Sequence, residues 1–272
     1  RPIFYRLRTY LKKDKYMKIT VCELRNEMDI FEDEWQKLAN HIKSEDSDLV
    51  LLPEMPFCSW VAHTNLIDVD VWRASIEQHD RWISRLSELT PAVVVSSRPV
   101  IKGGKRLNEA FVWDEIAGYR AVHHKYYLPD EEGWWEASWY ERGKKDFTVI
   151  QTGRVRIGFL ICTELWFNFH AREYAKQDIE LLVCPRATGA SVDKWIAGGR
   201  TAAVVSGAYC LSSNFSYRDG DAFKWGGNGW IIEPEGGTVL GTTSSEKPFL
   251  TLEIDLSIAD TAKHTYPRYV HD

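Results

Sequence analysis

No apolar run in this 272-residue chain approaches the 18 or more residues that a helical membrane span needs. The five cysteines, Cys22, Cys58, Cys162, Cys184 and Cys210, are odd in number and far apart. They form no C-x-x-C pair and no Cys/His cluster at ligand spacing, which argues against structural zinc or any other metal site. Cys22, Cys184 and Cys210 lie within or at the ends of apolar strand-like runs, where buried, reduced thiols are expected; that points to a cytoplasmic, reducing compartment. A net charge of −5 and the lack of a basic face with interleaved aromatics leave no footprint for nucleic acid. Internal repeats, low-complexity tracts and linkers are lacking too, so the chain reads as one unit. What it has in excess is aromatic: twelve Trp and twelve Tyr. Aromatics often wall small-molecule pockets, although core packing accounts for most of them. Apolar content of 44% and charged content of 27% are ordinary for a globular protein. A chain of this size buries roughly three quarters of its unfolded surface, enough for a substantial core.

Residues 1–16 carry six basic residues and one acid, whereas Met17 directly precedes a clean strand, Lys18-Ile19-Thr20-Val21-Cys22. We read residues 1–16 as an N-terminal extension, non-native or disordered, with a transit peptide as the alternative. After the first strand, Asp29 or Asn26 can cap a helix running to about Lys43, with Phe31, Trp35, Leu38 and Ile42 forming one apolar stripe. The continuous apolar run over 48–54 predicts a strand buried on both faces, ending in Pro53 and Glu54. A second helix is expected over 70–88, with Trp72, Ile76, Ile83 and Leu86 inward, then a buried strand over 92–96. Strands over 107–114 and 119–125 flank Glu115-Ile116-Ala117-Gly118, a hairpin turn. Residues 126–145 read as a long aromatic, charged loop with one helical turn. Val155, Ile157, Phe159 and Ile161 alternate along a strand that stops at Cys162. Helix, strand (181–184), helix (192–206) and strand (208–213) follow, and the tail holds two strand pairs separated by Pro234-Glu235-Gly236-Gly237. Strand–helix alternation in both halves argues for a single α/β domain.

Three chemically active side chains each stand just after an apolar strand: Glu54, Lys125 and Cys162. In a layered α/β fold, strand ends open into a crevice, and a thiol at a strand-to-helix turn is where such folds present a nucleophile. Glu54, partly desolvated behind Leu51-Leu52-Pro53, suits a general base. Lys125 near a thiol favours the thiolate and can hold a developing oxyanion. Read singly, each has a structural alternative: a loop-facing acid, a solvated strand end, and a core thiol.

Together these stretches resemble a known family. Leu51-Leu52-Pro53-Glu54, His124-Lys125-Tyr126-Tyr127-Leu128-Pro129-Asp130 and Gly158-Phe159-Leu160-Ile161-Cys162 look like the three signature blocks of the nitrilase (carbon–nitrogen hydrolase) superfamily, amidase/carbamoylase-like branch. They stand in the family's order, Glu then Lys then Cys, at intervals of 71 and 37 residues typical of it. Trp135-Glu136, followed by Trp139-Tyr140-Glu141-Arg142-Gly143, is similar to a fourth block. The stretch 200–214 and Trp230-Ile231-Ile232-Glu233-Pro234-Glu235-Gly236 resemble later family segments, so the likeness covers nearly all of 17–256.

The resemblance implies a four-layer αββα sandwich, with residues 17–272 as one carbon–nitrogen hydrolase domain. It implies Cys162 as the nucleophile on an amide or nitrile carbon, Glu54 as the general base and acid, and Lys125 as the oxyanion group together with a backbone N–H after Cys162. Glu136 would orient Lys125 or the substrate. No metal or organic cofactor is implied. Thr163 stands where many amidase-type members carry an aromatic, which weakens a nitrile assignment, while Glu164 keeps the acid that follows. The expected activity is hydrolysis of a small linear amide or N-carbamoyl compound, by a homodimer or larger homo-oligomer with no nucleic-acid or membrane partner. Rival readings are a nitrile hydrolase, an amide or acyl transferase, a catalytically inert partner-binding member and a redox-sensing thiol protein. Tyr126, Trp135, Thr163, Glu164, Trp166, Arg186 and Thr188 are the candidate substrate-binding residues. Trp134, Trp139 and Tyr140 are further candidates for the pocket wall, and Asn214 for a polar contact to substrate.

Overall fold

The computed structural model describes residues 15–25, 27–153, 155–217 and 223–270. Residues 1–14 of the expected extension, and Asn26 as a helix cap, lie outside them.

Among the described residues, twelve strands form two six-stranded halves of one sheet system. The first half holds β1 (Tyr16–Leu24), β2 (Leu49–Leu51), β3 (Val93–Lys102), β4 (Lys105–Asp114), β5 (Gly118–His124) and β12 (Phe249–Asp255), the second β6 (Ile150–Thr152), β7 (Val155–Phe159), β8 (Leu181–Pro185), β9 (Tyr209–Phe215), β10 (Trp230–Ile232) and β11 (Val239–Thr242). Pairing in the first half runs β5-β4-β3-β2-β1-β12, and in the second β6-β7-β8-β9-β10-β11. The halves join where the end of β1 runs parallel to the end of β9, Glu23 opposite Asn214 and Leu24 opposite Phe215.

Side chains alternate across each strand, and the alternation sorts the core into layers. Ile19, Val21, Leu49, Leu51, Val95 and Val112 of the first half pack directly on Ile157, Phe159, Leu181, Val183 and Leu211 of the second. The opposite face of the first half, with Cys22, Val50, Leu52, Val94 and Phe111, takes Phe31, Trp35, Leu38 and Ile42 of α1 (Phe31–Glu45) and Trp82 of α2 (Val69–Ile83). The outer face of the second half, with Leu182, Cys184, Cys210 and Trp230, takes Ala171 and Tyr174 of α4 (Phe169–Ala175) and Ala202 and Ala203 of α5 (Val192–Ser206). The short α3 (Glu136–Trp139) lies within the long aromatic loop. These are four layers, helix–sheet–sheet–helix, as expected.

The deviations have local causes. Helix α1 begins at Phe31 after Ile30, with no side-chain cap, so Asp29 does not cap it. The second helix stops at Ile83 and continues only as a 3-10 turn over Leu86–Leu89. Strand β3 runs on to Lys102 because the Gly103-Gly104 pair, both at positive φ, turns it straight into β4. In the tail, β10 pairs with β11, but β12 crosses to the antiparallel edge of β1, Met17 opposite Ile254 and Val21 opposite Leu250, instead of forming a second hairpin. The short β6 and a last helix, α6 (Leu256–Ala262), complete the chain beyond the expected elements. No helix among the described residues is long and apolar enough to cross a membrane.

Candidate active site

Strands β2, β7, β8 and β9 all end on one side of the sandwich, and the loops leaving them meet there. Pro53, which has no N–H to continue the ladder, ends β2; its carbonyl accepts from Ser96 Oγ at 2.7 Å. Glu54 N then donates to Arg186 O at 3.2 Å, tying the first half to the end of β8. Lys125 leaves β5 with its N–H on Asn108 O and its carbonyl on Gly143 N, both 2.9 Å. A Cβ at position 143 would lie 2.3 Å from His124 O, so only glycine lets this loop close on the Lys125 strand. Cys162 opens a 3-10 turn over Cys162–Trp166 at φ +48°, a left-handed conformation disfavoured for a side chain with a Cβ. Strain of this kind persists only where the surroundings over-determine it, and it clusters at functional sites.

The four side chains expected to act converge. Lys125 Nζ lies 2.8 Å from Glu54 Oε1 and 2.6 Å from Glu136 Oε2, with all three side chains at most 1% exposed. Asn108 Nδ2 donates to the same Glu54 oxygen at 2.7 Å. The other oxygen, Oε2, is buried with no hydrogen-bond partner, which leaves it able to take a proton. Tyr140 donates its hydroxyl to Glu136 Oε2 in a short hydrogen bond. Cys162 faces a cavity of about 620 Å³ and points its thiol toward Ala187 O at 3.9 Å.

The electrostatics follow from two carboxylates and one ammonium removed from water. Burial pushes the Cys162 thiol well above its ordinary value; Glu54 and Glu136 add to this and Lys125 opposes it. The resting thiol is therefore protonated, and a base must accept its proton for it to attack. Burial works against the Lys125 ammonium, but Glu136 and Glu54 more than offset it, so the residue stays charged. Burial lifts Glu136 to about 7; Lys125 counters this and Glu54 reinforces it.

Of the expected substrate-binding residues, Thr163, Trp166 and Thr188 line the cavity, as does Trp134. Tyr126, Trp135, Glu164 and Arg186 do not. Tyr126 packs beside Tyr127 under Arg142 and Lys145. Trp135 precedes α3 and joins the aromatic cluster behind the site. Glu164 is fully buried on the backbone side of the turn, because the tight 3-10 winding aims it away from the face that carries Cys162, Thr163 and Trp166. Arg186 lies beneath the cavity wall, stacked on Trp230 and donating to Ser212 Oγ, Thr188 Oγ1 and Asn228 O. Trp139 and Tyr140 also stand behind the cavity, and Asn214 holds the Thr188 backbone. The cavity is also lined by residues not expected there from the sequence: Arg142, Lys194 and Trp195, with Asp130 and Glu131 at its rim. Asn108 was missed as well; an asparagine inside the apolar run of β4 was the available signal. Among the described residues, no group of three or more His, Cys, Asp or Glu stands where it would hold a metal ion.

A family model described as Carbon-nitrogen hydrolase matches residues 26–264. The chain belongs to the carbon–nitrogen hydrolase family. A carbon–nitrogen hydrolase from Helicobacter pylori G27 superposes with a TM-score of 0.82 at 19% identity, covering 93% of this chain and 94% of that one. An amidase from Nesterenkonia sp. gives 0.75 at 20% identity over 91% and 93%. At these identities the likeness is one of fold. Among curated relatives, the N-carbamoylputrescine amidase of Solanum tuberosum is 26% identical over 54% of each chain. The chloroplastic omega-amidase of Arabidopsis thaliana is 25% identical over 85% of this chain and 65% of its own. The match to the potato enzyme thus spans only about half of that relative's length.

Proposed function

We propose that this carbon–nitrogen hydrolase is a thiol amidohydrolase that cleaves a non-peptide C–N bond of a small linear amide or N-carbamoyl compound and releases ammonia. The observation that carries this reading is the buried Lys125 ammonium held between Glu54 and Glu136 beside a thiol that opens on the cavity. Relatives that are amidases on a carbamoyl compound and on an ω-amide support the substrate class. So does the volume, within the range of small-molecule sites.

In this reading Glu54 Oε2 takes the Cys162 proton as sulfur attacks the carbonyl carbon. Lys125 Nζ and the Thr163 N–H hold the oxyanion of the tetrahedral intermediate. The C–N bond breaks as Glu54 returns the proton to the leaving nitrogen, so ammonia departs and a thioester remains. Glu54 then takes a proton from water, hydroxide adds to the thioester, and collapse frees the acid and restores the thiol. An N-carbamoyl substrate follows the same course to ammonia, carbon dioxide and the amine. Thr163, Trp166 and Thr188 would contact the substrate. The five free, buried cysteines fit a cytoplasmic, reducing setting, and we expect a homodimer or larger homo-oligomer.

The test is ammonia release from short amides, ω-amides, N-carbamoyl compounds and nitriles, comparing the parent protein with Cys162→Ala. Release that depends on Cys162 from one amide or carbamoyl class is the expected result. Release from nitriles alone, or product only when an acceptor nucleophile is added, would replace the hydrolase reading with the nitrile or transferase one.

A further inference from the structure

His123 lies two residues before Lys125 and is buried, and its hydrogen bonds determine its proton count. Nδ1 stands 3.0 Å from the backbone carbonyl of Asp146, and Nε2 stands 2.9 Å from Glu164 Oε2. A carbonyl oxygen only accepts, and an ionised carboxylate only accepts. A neutral imidazole has a single N–H and cannot satisfy both. The pair therefore holds one proton more than a neutral ring and a carboxylate. Burial works against the imidazolium, but the Glu164 charge overrides it and raises His123 above its ordinary value, with Asp146 assisting. The proton thus sits on the ring. Glu164 from the Cys162 turn, Asp146 from the loop before β6 and His170 from α4 are the titratable groups around it, and Phe147 covers both rings.

The other contacts of Glu164 give the pair its reach. Oε1 accepts the Tyr126 N–H at 2.7 Å and Oε2 the Ile161 N–H at 2.8 Å. Tyr126 follows Lys125 and Ile161 precedes Cys162, so one carboxylate, on the side away from the cavity, bridges the two backbones that carry the ammonium and the thiol. We propose that the His123–Glu164 ion pair is a positioning device that sets Lys125 against Cys162, and that loss of its proton slows the chemical step. The proposal rests on the roles given above to Lys125 and Cys162. Once the ring is neutral it has one N–H for two acceptors, so either Asp146 O at 3.0 Å or Glu164 Oε2 at 2.9 Å faces a bare ring nitrogen. With either tautomer the charge attraction to Glu164 is lost, and the carboxylate that holds Tyr126 and Ile161 is itself held less firmly. Near-attack geometry is sensitive at this scale, since a displacement of about 1 Å costs roughly 10²-fold in rate.

Two buried-pair variants and two readouts test this. In His123→Gln the side chain still donates to Glu164 but cannot titrate. In Glu164→Gln an amide faces one of the two backbone N–H groups, donor against donor. For each variant kcat, KM and the pH profile are measured on the substrate found in the panel. In parallel, the alkylation rate of Cys162 by iodoacetamide is followed across pH, with the labelled peptide identified by mass spectrometry. The expected result for His123→Gln is a kcat lowered by about tenfold, KM within about threefold, and loss of the alkaline inflection assigned to His123. Cys162 alkylation is slowed to a similar degree. Glu164→Gln shows the same pattern more strongly. A His123→Gln protein that matches the parent in pH profile and alkylation overturns the proposal. So does one that melts earlier and loses kcat while the alkaline inflection stays in place, because that is a merely structural role. If the parent protein hydrolyses nothing in the panel yet the variants slow Cys162 alkylation as described, the hydrolase reading fails and the coupling of the pair to the thiol stands.

Discussion

The floor and the rim of the cavity carry similar numbers of charges and differ in what surrounds them. On the floor, beneath Cys162 and behind the cavity lining itself, Lys125 lies 2.8 Å from Glu54 and 2.6 Å from Glu136, and all three are almost wholly removed from water. At the rim, Asp130, Glu131, Arg142 and Lys194 are exposed to solvent. Charges in a desolvated site interact several-fold more strongly than in water, and salt hardly screens them. Exposed charges a few ångströms apart contribute little and fade with ionic strength. Under the proposed function, the chemistry belongs to the floor and modest discrimination between substrates to the rim. That contrast ranks the substitutions that would break the assignment.

The largest effect is expected at Cys162, the proposed nucleophile. Cys162→Ala should abolish turnover while leaving the fold intact, since it removes one sulfur from a wall already open to the cavity; the thermal melt checks the second half of that statement. Lys125→Ala and Glu54→Gln should each lose several orders of magnitude in kcat. Lys125→Ala should also unfold earlier, because it strands Glu54 and Glu136 as buried like charges, and breaking a buried pair costs about 3–5 kcal/mol. A melting temperature unchanged in Lys125→Ala would mean that the two carboxylates share a proton or reach water. Near-normal rates in any of the three would remove the role assigned here.

A middle-sized effect is expected where the floor can be tuned without being dismantled. Glu136 is raised to about 7 by burial, and the hydroxyl of Tyr140 is among the groups that pull it back down. If the carboxylate form orients Lys125, the rate should rise with pH through an inflection near 7. Tyr140→Phe removes a donor to the charged form, so that inflection should move to higher pH by roughly one unit. The same raised value has a stability consequence. The folded protein binds a proton at Glu136 that the unfolded chain releases at lower pH, so this residue's contribution to stability falls as pH rises from about 4.5 to about 7. An inflection that stays fixed in Tyr140→Phe would uncouple Glu136 from the rate.

The same contrast explains what could be read from the sequence. The convergence of Glu54, Lys125 and Cys162 was legible because each stands just after an apolar strand, and a strand end in a layered fold has few places to go. The stripe Phe31, Trp35, Leu38 and Ile42 and the helix Val192–Ser206 were legible because side-chain period follows from backbone geometry alone. The four-layer arrangement came from family resemblance, since alternation alone does not say that two sheets face each other. Glu164 and Arg186 were misplaced because nearness in sequence to a site residue says nothing of direction. The 3-10 turn aims Glu164 inward, and Arg186 is drawn under Trp230 and toward the Asn228 carbonyl. Strand β12 was expected to pair locally, but the open edge of β1, more than 200 residues away, offered a seven-residue antiparallel ladder. Contacts of that separation leave no local trace.

The smaller effects test the rim and the surroundings. Cys58 is buried in the aromatic cluster, with its sulfur near Met55 O and outside the cavity lining, so Cys58→Ser should leave activity largely intact. A large loss would mean that the site has been misplaced. Lys194 sharpens the contrast most, because it lines the same cavity as Cys162 but is exposed, its ammonium 5.5 Å above the Trp166 ring. Lys194→Ala should change KM by about two- to fivefold for a substrate carrying a charge at the end remote from its amide, and leave kcat alone, as an exposed charge acting at a distance should. The Debye length falls from about 8 Å at physiological ionic strength to about 3 Å at 1 M salt. The difference in KM between Lys194→Ala and the parent should therefore shrink as salt is added, while the kcat losses of the floor variants should not respond. A Lys194→Ala protein that loses kcat a hundredfold, at any salt, would move this lysine from the rim to the floor and redraw the boundary between them.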